Sequence, residues 1–337
     1  MKRFLSALVL AACLLSIPCA AADPAAHSVR AFSGFADVAE DSWCHDAVAL
    51  CYETGLMNGT SETTFSPDSP LTAAQLTVLS ARLYSLRSGG SGTVPSLPDL
   101  SQPYLCFYGP DGALLRSYRC TDPLTHGMDD GLFISLSDTP DDPALPEACT
   151  LEIGFRDYGP IRRYSGVRTL YAPPSGVMTH GLTGTGYRFA DPDTTTFCFF
   201  LGTDIEPLKQ EWWFSAAFYL ASQGRLNLSG DLIWRVAPNH DDPETVSLRF
   251  AEPASRALFV WLLDCAAGEL PPVRETVSIP DVDPELTPDA DAILRLYRAG
   301  VVNGVDESGR FSGGAPLTRA QAAVMLARIL DPALRAQ

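Results

Sequence analysis

The chain has 337 residues, of which 46% are hydrophobic, and carries a formal net charge of −16 at pH 7. This hydrophobic content excludes an intrinsically disordered chain, and the length predicts two or more folded units. Because binding to the phosphates of nucleic acid requires a basic surface, the acidic balance excludes nucleic acid as the expected partner.

The first 22 residues have the features of a secretory leader. Lys2 and Arg3 precede an apolar run that continues to Ile17, and alanines at positions 20–22 form an Ala-x-Ala cleavage site. We therefore expect the mature chain to be exported. No later stretch has the roughly 18 apolar residues that a membrane helix needs, so we expect no transmembrane segment after the leader is removed.

Two segments of the chain are similar: PLTAAQLTVLSARLY, which begins at Pro70, and PLTRAQAAVMLARIL, which begins at Pro316. Thr72 and Thr318 each stand three residues before a glutamine, Gln75 and Gln321, which is the spacing of a helix capping box. Each threonine therefore predicts the start of a helix. Apolar residues at helical spacing follow in both copies and predict one buried face.

The similarity continues upstream of these segments. Asp37 matches Asp281, and the dipeptide Asn58-Gly59 matches Asn303-Gly304 in a loop that suits a turn with positive φ. Each copy is therefore predicted to be helix, loop, helix over roughly 50 residues. The two copies span residues 35–86 and 279–330.

The first helix of the last copy has its own start signal. Thr287 is a candidate N-cap, and Pro288 follows at a position where a missing N–H costs nothing. We therefore expect that helix to begin at this pair.

Residues 97–206 differ in composition and follow a Gly/Ser-rich linker. Short β-rich runs, separated by Pro, Gly and Asp turns, predict a small all-β domain inserted after the first repeat. These runs are YLCFYG, GLFISL, TLEIGF, GVRTLYA and TTFCFFLG. Cys106 and Cys120 flank a Gly-Pro-Asp-Gly turn, and whether they form a disulfide is left open.

The insert contains no common catalytic signature. HExxH, GxSxG and S-x-x-K are absent from the sequence, and His126 and His180 are each isolated. No spacing of Cys, His or Asp predicts a metal site. We expect neither enzyme activity nor a cofactor or metal, and an unrecognised active site in the insert remains the alternative.

A degenerate third copy is predicted at residues 207–267. Trp212 and Gly224 have the same separation as Trp43 and Gly55 in the first copy. A longer, irregular loop follows. A serine that is a candidate N-cap then precedes an arginine and an apolar helix.

These landmarks resemble the S-layer homology repeat, which has a Phe-x-Asp-Val opening, a Trp before its first helix and a Thr-Arg-Ala-Glu start to its second. The resemblance implies a helical pseudo-threefold trimer with the small all-β domain inserted, so the predicted fold class is α+β. It also implies grooves that bind secondary cell-wall polysaccharide carrying a pyruvylated amino sugar. Departures from the pattern are Gln75 and Gln321 for the usual Glu, Ala73 for the usual Arg, and Pro288 near the usual Trp.

Arg319 lies at the first turn of a predicted helix, where the macrodipole disfavours a cation. Its position indicates an anionic ligand, since helix N–H groups and a guanidinium can bind the carboxylate of a pyruvyl ketal. Arg256 has the equivalent position in the degenerate third copy. The alternative for both is an exposed arginine paired with a nearby acid. Trp43 either stacks on a sugar ring or caps the core.

The full set of predicted ligand-binding residues is Arg319, Arg256, Trp43, Trp212, Asp37, Asp281, Asn58, Gly59, Asn303, Gly304, Thr318 and Gln321. The leading hypothesis is an exported protein held non-covalently on the wall of a Gram-positive-type bacterium, displaying its β domain. One alternative is an exported enzyme with the repeats as scaffold. Another is that the repeats have lost glycan binding and serve protein assembly.

Overall fold

The structure is a computed structural model in which residues 30–98, 103–119, 124–128, 131–136, 150–155, 159–164, 168–171, 185–189, 208–226, 228–238, 242–275 and 278–335 are described. It combines helices and strands, so the predicted mixed α+β class is confirmed. The predicted leader, His180 and Cys120 lie outside these residues, and the Cys106–Cys120 pairing stays a prediction.

The helices flank the strands in the sequence. They are α1 (His45–Glu53), α2 (Ala73–Arg87), α3 (Phe214–Ser222), α4 (Trp234–Val236), α5 (Pro243–Ala251), α6 (Arg256–Ala267), α7 (Ala290–Arg298) and α8 (Arg319–Leu330). A π-helical turn at Leu228–Ile233 precedes α4, and a 3-10 turn at Pro332–Leu334 follows α8.

Three of the predicted helix starts are confirmed. Thr72 and Thr318 form complete capping boxes with the glutamines three residues later, and the Ser255 hydroxyl accepts a hydrogen bond from the N–H of Leu258. Each cap satisfies N–H groups that would otherwise lack a partner.

The predicted start of α7 is wrong. That helix begins at Ala290, and its N-cap is Asp289 in the left-handed region at φ 60°. The Thr287 hydroxyl instead accepts the N–H of Asp283, and the Thr287 N–H donates to the Asp283 carbonyl. The threonine therefore closes a turn before the helix.

The described residues between α2 and α3 include eight strands. They are β1 (Pro103–Tyr108), β2 (Leu114–Arg119), β3 (Leu124–Met128), β4 (Gly131–Leu136), β5 (Thr150–Phe155), β6 (Gly159–Tyr164), β7 (Arg168–Tyr171) and β8 (Thr185–Phe189). Their antiparallel pairing gives two four-stranded sheets, ordered β2-β1-β5-β6 and β3-β4-β8-β7.

Four of the β-rich runs recognised in the sequence correspond to β1, β4, β5 and β7. The run TTFCFFLG lies outside the described residues. Strands β2 and β6 were not predicted, because their arginines interrupt the apolar pattern that identifies a strand. Strands β3 and β8 were also not predicted.

The segments that lead into α2, α6 and α8 meet in a closed ring of three backbone hydrogen bonds. The N–H of Leu71 donates to the carbonyl of Leu317 at 2.9 Å, Leu317 donates to Ala254 at 3.1 Å, and Ala254 donates to Leu71 at 2.8 Å. All three residues are buried, and each stands two positions before its helix. Because these amides lie in the core, the ring supplies partners that water cannot.

The helices pack in a cyclic order around this ring. Helix α1 packs against α8, α3 against α2, and α7 against α6. The shorter helix of each pair is followed, two positions after its last residue, by a glycine with positive φ, namely Gly55, Gly224 and Gly300. Helices α1 and α7 therefore pack mainly against a helix other than the one that follows them in sequence.

A carboxylate braces the loop of each end copy. The Asp37 carboxylate accepts hydrogen bonds from the N–H groups of Phe65 (2.8 Å) and Ser66 (2.7 Å). The Asp281 carboxylate accepts from the equivalent N–H groups, those of Phe311 (2.7 Å) and Ser312 (2.8 Å). Both aspartates therefore fix the path of the chain between the two helices of a copy.

The bracing stabilises an unusual backbone conformation. Ser66 and Ser312 lie in the left-handed region at φ 58° and 55°, where a residue other than glycine is strained. Desolvation alone raises the pKa of Asp37 and Asp281, but the backbone N–H groups outweigh it and lower both pKa values.

The hydrogen-bonded ring predicts strong protection of three amides. We expect the N–H groups of Leu71, Ala254 and Leu317 to exchange with solvent only through global unfolding, because opening one bond of the ring separates the packed helices. Hydrogen exchange resolved by residue measures this. Exchange at any of the three as fast as at the exposed Gly89 amide would contradict the role given to the ring.

The lowered pKa of Asp37 predicts acid sensitivity. A carboxyl whose pKa is lower in the folded state stabilises the fold above its unfolded pKa, near 3.8, and loses this contribution as pH falls through the folded pKa. Asp37→Asn should therefore destabilise the fold at pH 7 by about 1 kcal/mol and make stability less dependent on pH below about 4.

Urea denaturation at pH 7 and at several pH values down to 2 tests this prediction, with Asp41→Asn as the control because Asp41 is also exposed. If Asp37→Asn has the same urea midpoint and pH profile as the control, the carboxylate does not brace the loop.

Candidate functional site

Three arginines converge on the loop after α1. Three consecutive carbonyls of this loop each accept a hydrogen bond from one guanidinium. Leu56 accepts from Arg82 (3.1 Å), Met57 from Arg30 (3.0 Å) and Asn58 from Arg319 (2.6 Å). We call Arg30, Arg82 and Arg319 the first arginine cluster. Arg319 belongs to α8, so this cluster joins α8 to the loop of the first copy.

The same arrangement occurs after α7. Val301 accepts from Arg328 (3.2 Å), Val302 from Arg274 (3.5 Å) and Asn303 from Arg256 (2.8 Å). We call Arg256, Arg274 and Arg328 the second arginine cluster. Its Arg256 belongs to α6, so the cluster joins α6 to the loop of the last copy.

The amide side chain of each asparagine is also engaged. Arg30 donates to Asn58 Oδ1 at 2.7 Å, and Arg274 donates to Asn303 Oδ1 at 2.8 Å. The guanidinium of Arg30 lies 3.4 Å from the centroid of a tyrosine ring, that of Tyr52, at the end of α1. Each asparagine is thus bound through its side chain by one arginine and through its backbone by another.

Sequence reasoning missed Arg30 and Arg274 as site residues. The signal that could have found them is their position, since each stands seven residues before the opening aspartate of its copy, Asp37 or Asp281. Arg82 and Arg328 were also missed, although they occupy equivalent positions in α2 and α8.

The clusters concentrate positive charge in an acidic protein. Desolvation and the nearby Arg30 lower the pKa of Arg82, and desolvation and Arg328 lower that of Arg256 to about 10. Desolvation also lowers the pKa of Arg319, against the attraction of Asp37.

The structure brings Arg319 to protein carbonyls rather than to an acid. Its Nε donates to the Phe65 carbonyl at 2.7 Å, and its guanidinium carbon lies 4.5 Å from the centroid of the Phe65 ring. The ion pairs between described residues lie elsewhere, for example between Arg295 and Asp264. A simple surface ion pair therefore does not explain Arg319.

One part of the predicted anion site is wrong. The N–H groups at the start of α8 already have protein partners: Arg319 donates to Ser69, Ala320 to Pro67, and Gln321 to the Thr318 hydroxyl. These groups cannot bind a carboxylate without losing those bonds. An anion would therefore be bound by the guanidinium groups.

Several other predicted site residues have structural partners. The capping box uses the side chains of Thr318 and Gln321. A Cβ at Gly59 would come within 2.4 Å of the Ser61 carbonyl, and one at Gly304 within 2.5 Å of the backbone of Gly309. As ligand contacts, these four residues stay predictions.

The two tryptophans are exposed. Trp43 is 69% exposed and Trp212 is 61% exposed, whereas the neighbouring Trp213 is buried and stacks on Phe250 at 3.7 Å. Trp43 therefore does not cap the core, which leaves the sugar-stacking alternative as a prediction for it and for Trp212.

Where α3 packs against α2, other residues occupy two of the positions that hold arginines in the clusters. Ala73 begins α2 where Arg319 begins α8, and Cys265 in α6 stands where α8 has Arg328. Ala73 is buried at 2% exposure, so an arginine introduced there would need more space than the alanine has. The described structure thus supplies an arginine cluster at two of the three helix pairs α1–α8, α3–α2 and α7–α6.

The rest of the described chain adds neither a membrane-spanning helix nor a group of three or more His, Cys, Asp or Glu side chains close enough to hold a metal ion.

Comparison with protein families gives the S-layer homology domain at residues 34–77 and 278–323. Comparison with curated proteins and with solved structures gives no match. Both matched ranges contain the opening aspartate, the Asn-Gly loop and the capping box. Modules of this family generally attach proteins to cell walls and are not catalytic. The chain therefore contains two S-layer homology repeats, one near each end.

Proposed function

We propose that this chain anchors itself non-covalently to a secondary cell-wall polysaccharide, and that the first arginine cluster binds an anionic group of the polymer. The observation that carries the proposal is the convergence of three guanidinium groups on one loop. The resemblance to other S-layer homology repeats makes a pyruvylated amino sugar the expected ligand. In this proposal, the protein lies on the wall of a Gram-positive-type bacterium.

The arginines retain donors for such a ligand. A guanidinium has five N–H donors, and Arg319 uses two of them on Phe65 and Asn58. Arg82 uses one on Leu56. Since Arg319 and Arg82 are only half-buried, their remaining donors support binding of a ketal carboxylate from solvent.

Trp43 supports a ligand longer than one sugar. Trp43 precedes the nine-residue helix α1, whereas Arg319 contacts the Asn58 carbonyl in the loop that follows α1. Helix α1 alone spans roughly 13 Å at 1.5 Å per residue. Stacking on Trp43 and ion pairing with Arg319 would therefore involve different sugars of one polymer.

We further propose that residues 207–267 are a third, degenerate repeat and that three repeats form a pseudo-threefold trimer. The hydrogen-bonded ring, the cyclic helix packing and the positive φ of Gly224 support this. Residues 97–206 would then be an all-β domain inserted between repeats and displayed outward. Its two four-stranded sheets support that part of the proposal.

The first test is co-sedimentation with peptidoglycan sacculi. We expect the mature protein to bind sacculi that retain their secondary polymer and not sacculi stripped of it with hydrofluoric acid. Equal binding to both preparations would contradict recognition of the polymer. The protein would then bind the peptidoglycan itself. Binding to neither preparation would instead favour catalysis by the insert or protein assembly through the repeats.

The second test is Arg319→Gln. Loss of a charged hydrogen-bond donor should weaken polymer binding by about 1.5–3 kcal/mol, or roughly 10- to 150-fold. The melting temperature should also fall, because Arg319 joins α8 to the carbonyls of Asn58 and Phe65. Binding is therefore measured well below the melting temperature of the variant.

The matched control is Arg249→Gln, which removes an exposed arginine paired with Glu252 at 2.9 Å. This variant should bind like the unmodified protein, since surface ion pairs contribute little. If Arg319→Gln lowers the melting temperature while its affinity equals that of the control, Arg319 is structural and the assignment fails.

A further inference from the structure

The two arginine clusters differ in burial. Arg256 is only 5% exposed, and its Nε atom is buried without a hydrogen-bond partner among the described residues. The equivalent Nε of Arg319 donates to the Phe65 carbonyl, and Arg319 is half-buried. The second cluster therefore contains a buried donor whose hydrogen bond is not made within the described protein.

The second cluster also differs in its charge balance. Asp37 attracts Arg319 in the first cluster, whereas the charged neighbour that acts on Arg256 is another cation, Arg328. Arg274 acts in turn on Arg328. No ion pair between described residues involves any of the three. Burial of a cation without a counter-charge is unfavourable, so an anion at this cluster would stabilise it.

Each of the three arginines has N–H donors that these hydrogen bonds do not use. Arg256 uses one Nη2 donor on Asn303. Arg328 uses Nη1 on Val301, and Arg274 uses Nη1 on Tyr297 and Val302 and Nη2 on Asn303. Because each guanidinium has five N–H donors, the cluster can satisfy several oxygens of one anion.

We propose that the second arginine cluster binds a compact oxyanion of the size of phosphate or sulfate, which acts as a counter-ion between α6 and α7. The burial of Arg256 admits a small anion better than a sugar of a wall polymer. An anion bound only to the folded state stabilises it by mass action. The proposal is independent of polymer binding by the first cluster.

The test is thermal unfolding of the full chain without its predicted leader, titrated with inorganic phosphate at constant ionic strength adjusted with sodium chloride. We expect a saturable rise of about 5 °C in the melting temperature over the millimolar range. Non-specific stabilisation by excluded anions would instead increase without saturation.

Two variants locate the effect. Arg256→Met replaces the buried cation with an apolar side chain and should abolish the saturable rise. Arg328→Gln changes a less buried member of the cluster and should at least halve the rise, so it tests the proposal even if Arg256→Met fails to fold. The control is Arg225→Gln, because Arg225 also donates to a backbone carbonyl, that of Cys265, outside both clusters.

The proposal is overturned if phosphate produces no saturable rise, or if the rise is unchanged in Arg328→Gln. A rise that disappears in Arg319→Gln and persists in Arg256→Met would assign the anion to the first cluster and also overturn it. Purified wall polymer serves as a second titrant. A polymer-dependent rise that requires Arg256 and is absent with phosphate would show that the second cluster binds the glycan instead.

Discussion

The three hydrogen bonds among Leu71, Ala254 and Leu317 are the constraint on which the helical part depends. They fix where α2, α6 and α8 begin, and each cap is built on the residue that follows the ring. Backbone polar groups in a core must be paired, and here each segment supplies a partner to the next. Loss of one segment would leave unpaired groups in the other two.

The arginine clusters pair further backbone carbonyls, those of the loops after α1 and α7, with groups from other segments. Each holds three carbonyls of one loop with side chains from three segments of the chain. A guanidinium suits this task because it remains charged and has several donors in one plane. The guanidinium N–H groups that do not bond to the loop make such a cluster suitable for binding an anion. The proposed polymer binding and the folding of the chain would therefore be coupled at Arg319.

The sequence predicted those features that depend on neighbouring residues. Capping boxes at Thr72 and Thr318 follow from a spacing of three residues, and the repeat itself from two similar phrases. The start of α7 was misplaced because Thr287 makes a local turn that competes with capping. The partners of Arg319 could not be predicted, because Asn58 is 261 positions away and only tertiary packing brings the two together.

The cyclic packing of the helices affects when the chain can fold relative to its synthesis. Helix α1 is among the first elements to be synthesised, yet its packing partner is α8, and the contact between Cys51 and Ala323 spans 272 positions. Contacts of such long range form late, because the intervening chain must first be brought together. The helical part of the chain can therefore close only after its last helix, α8, has been made. For a chain exported as its predicted leader indicates, this order favours folding after translocation over folding before it.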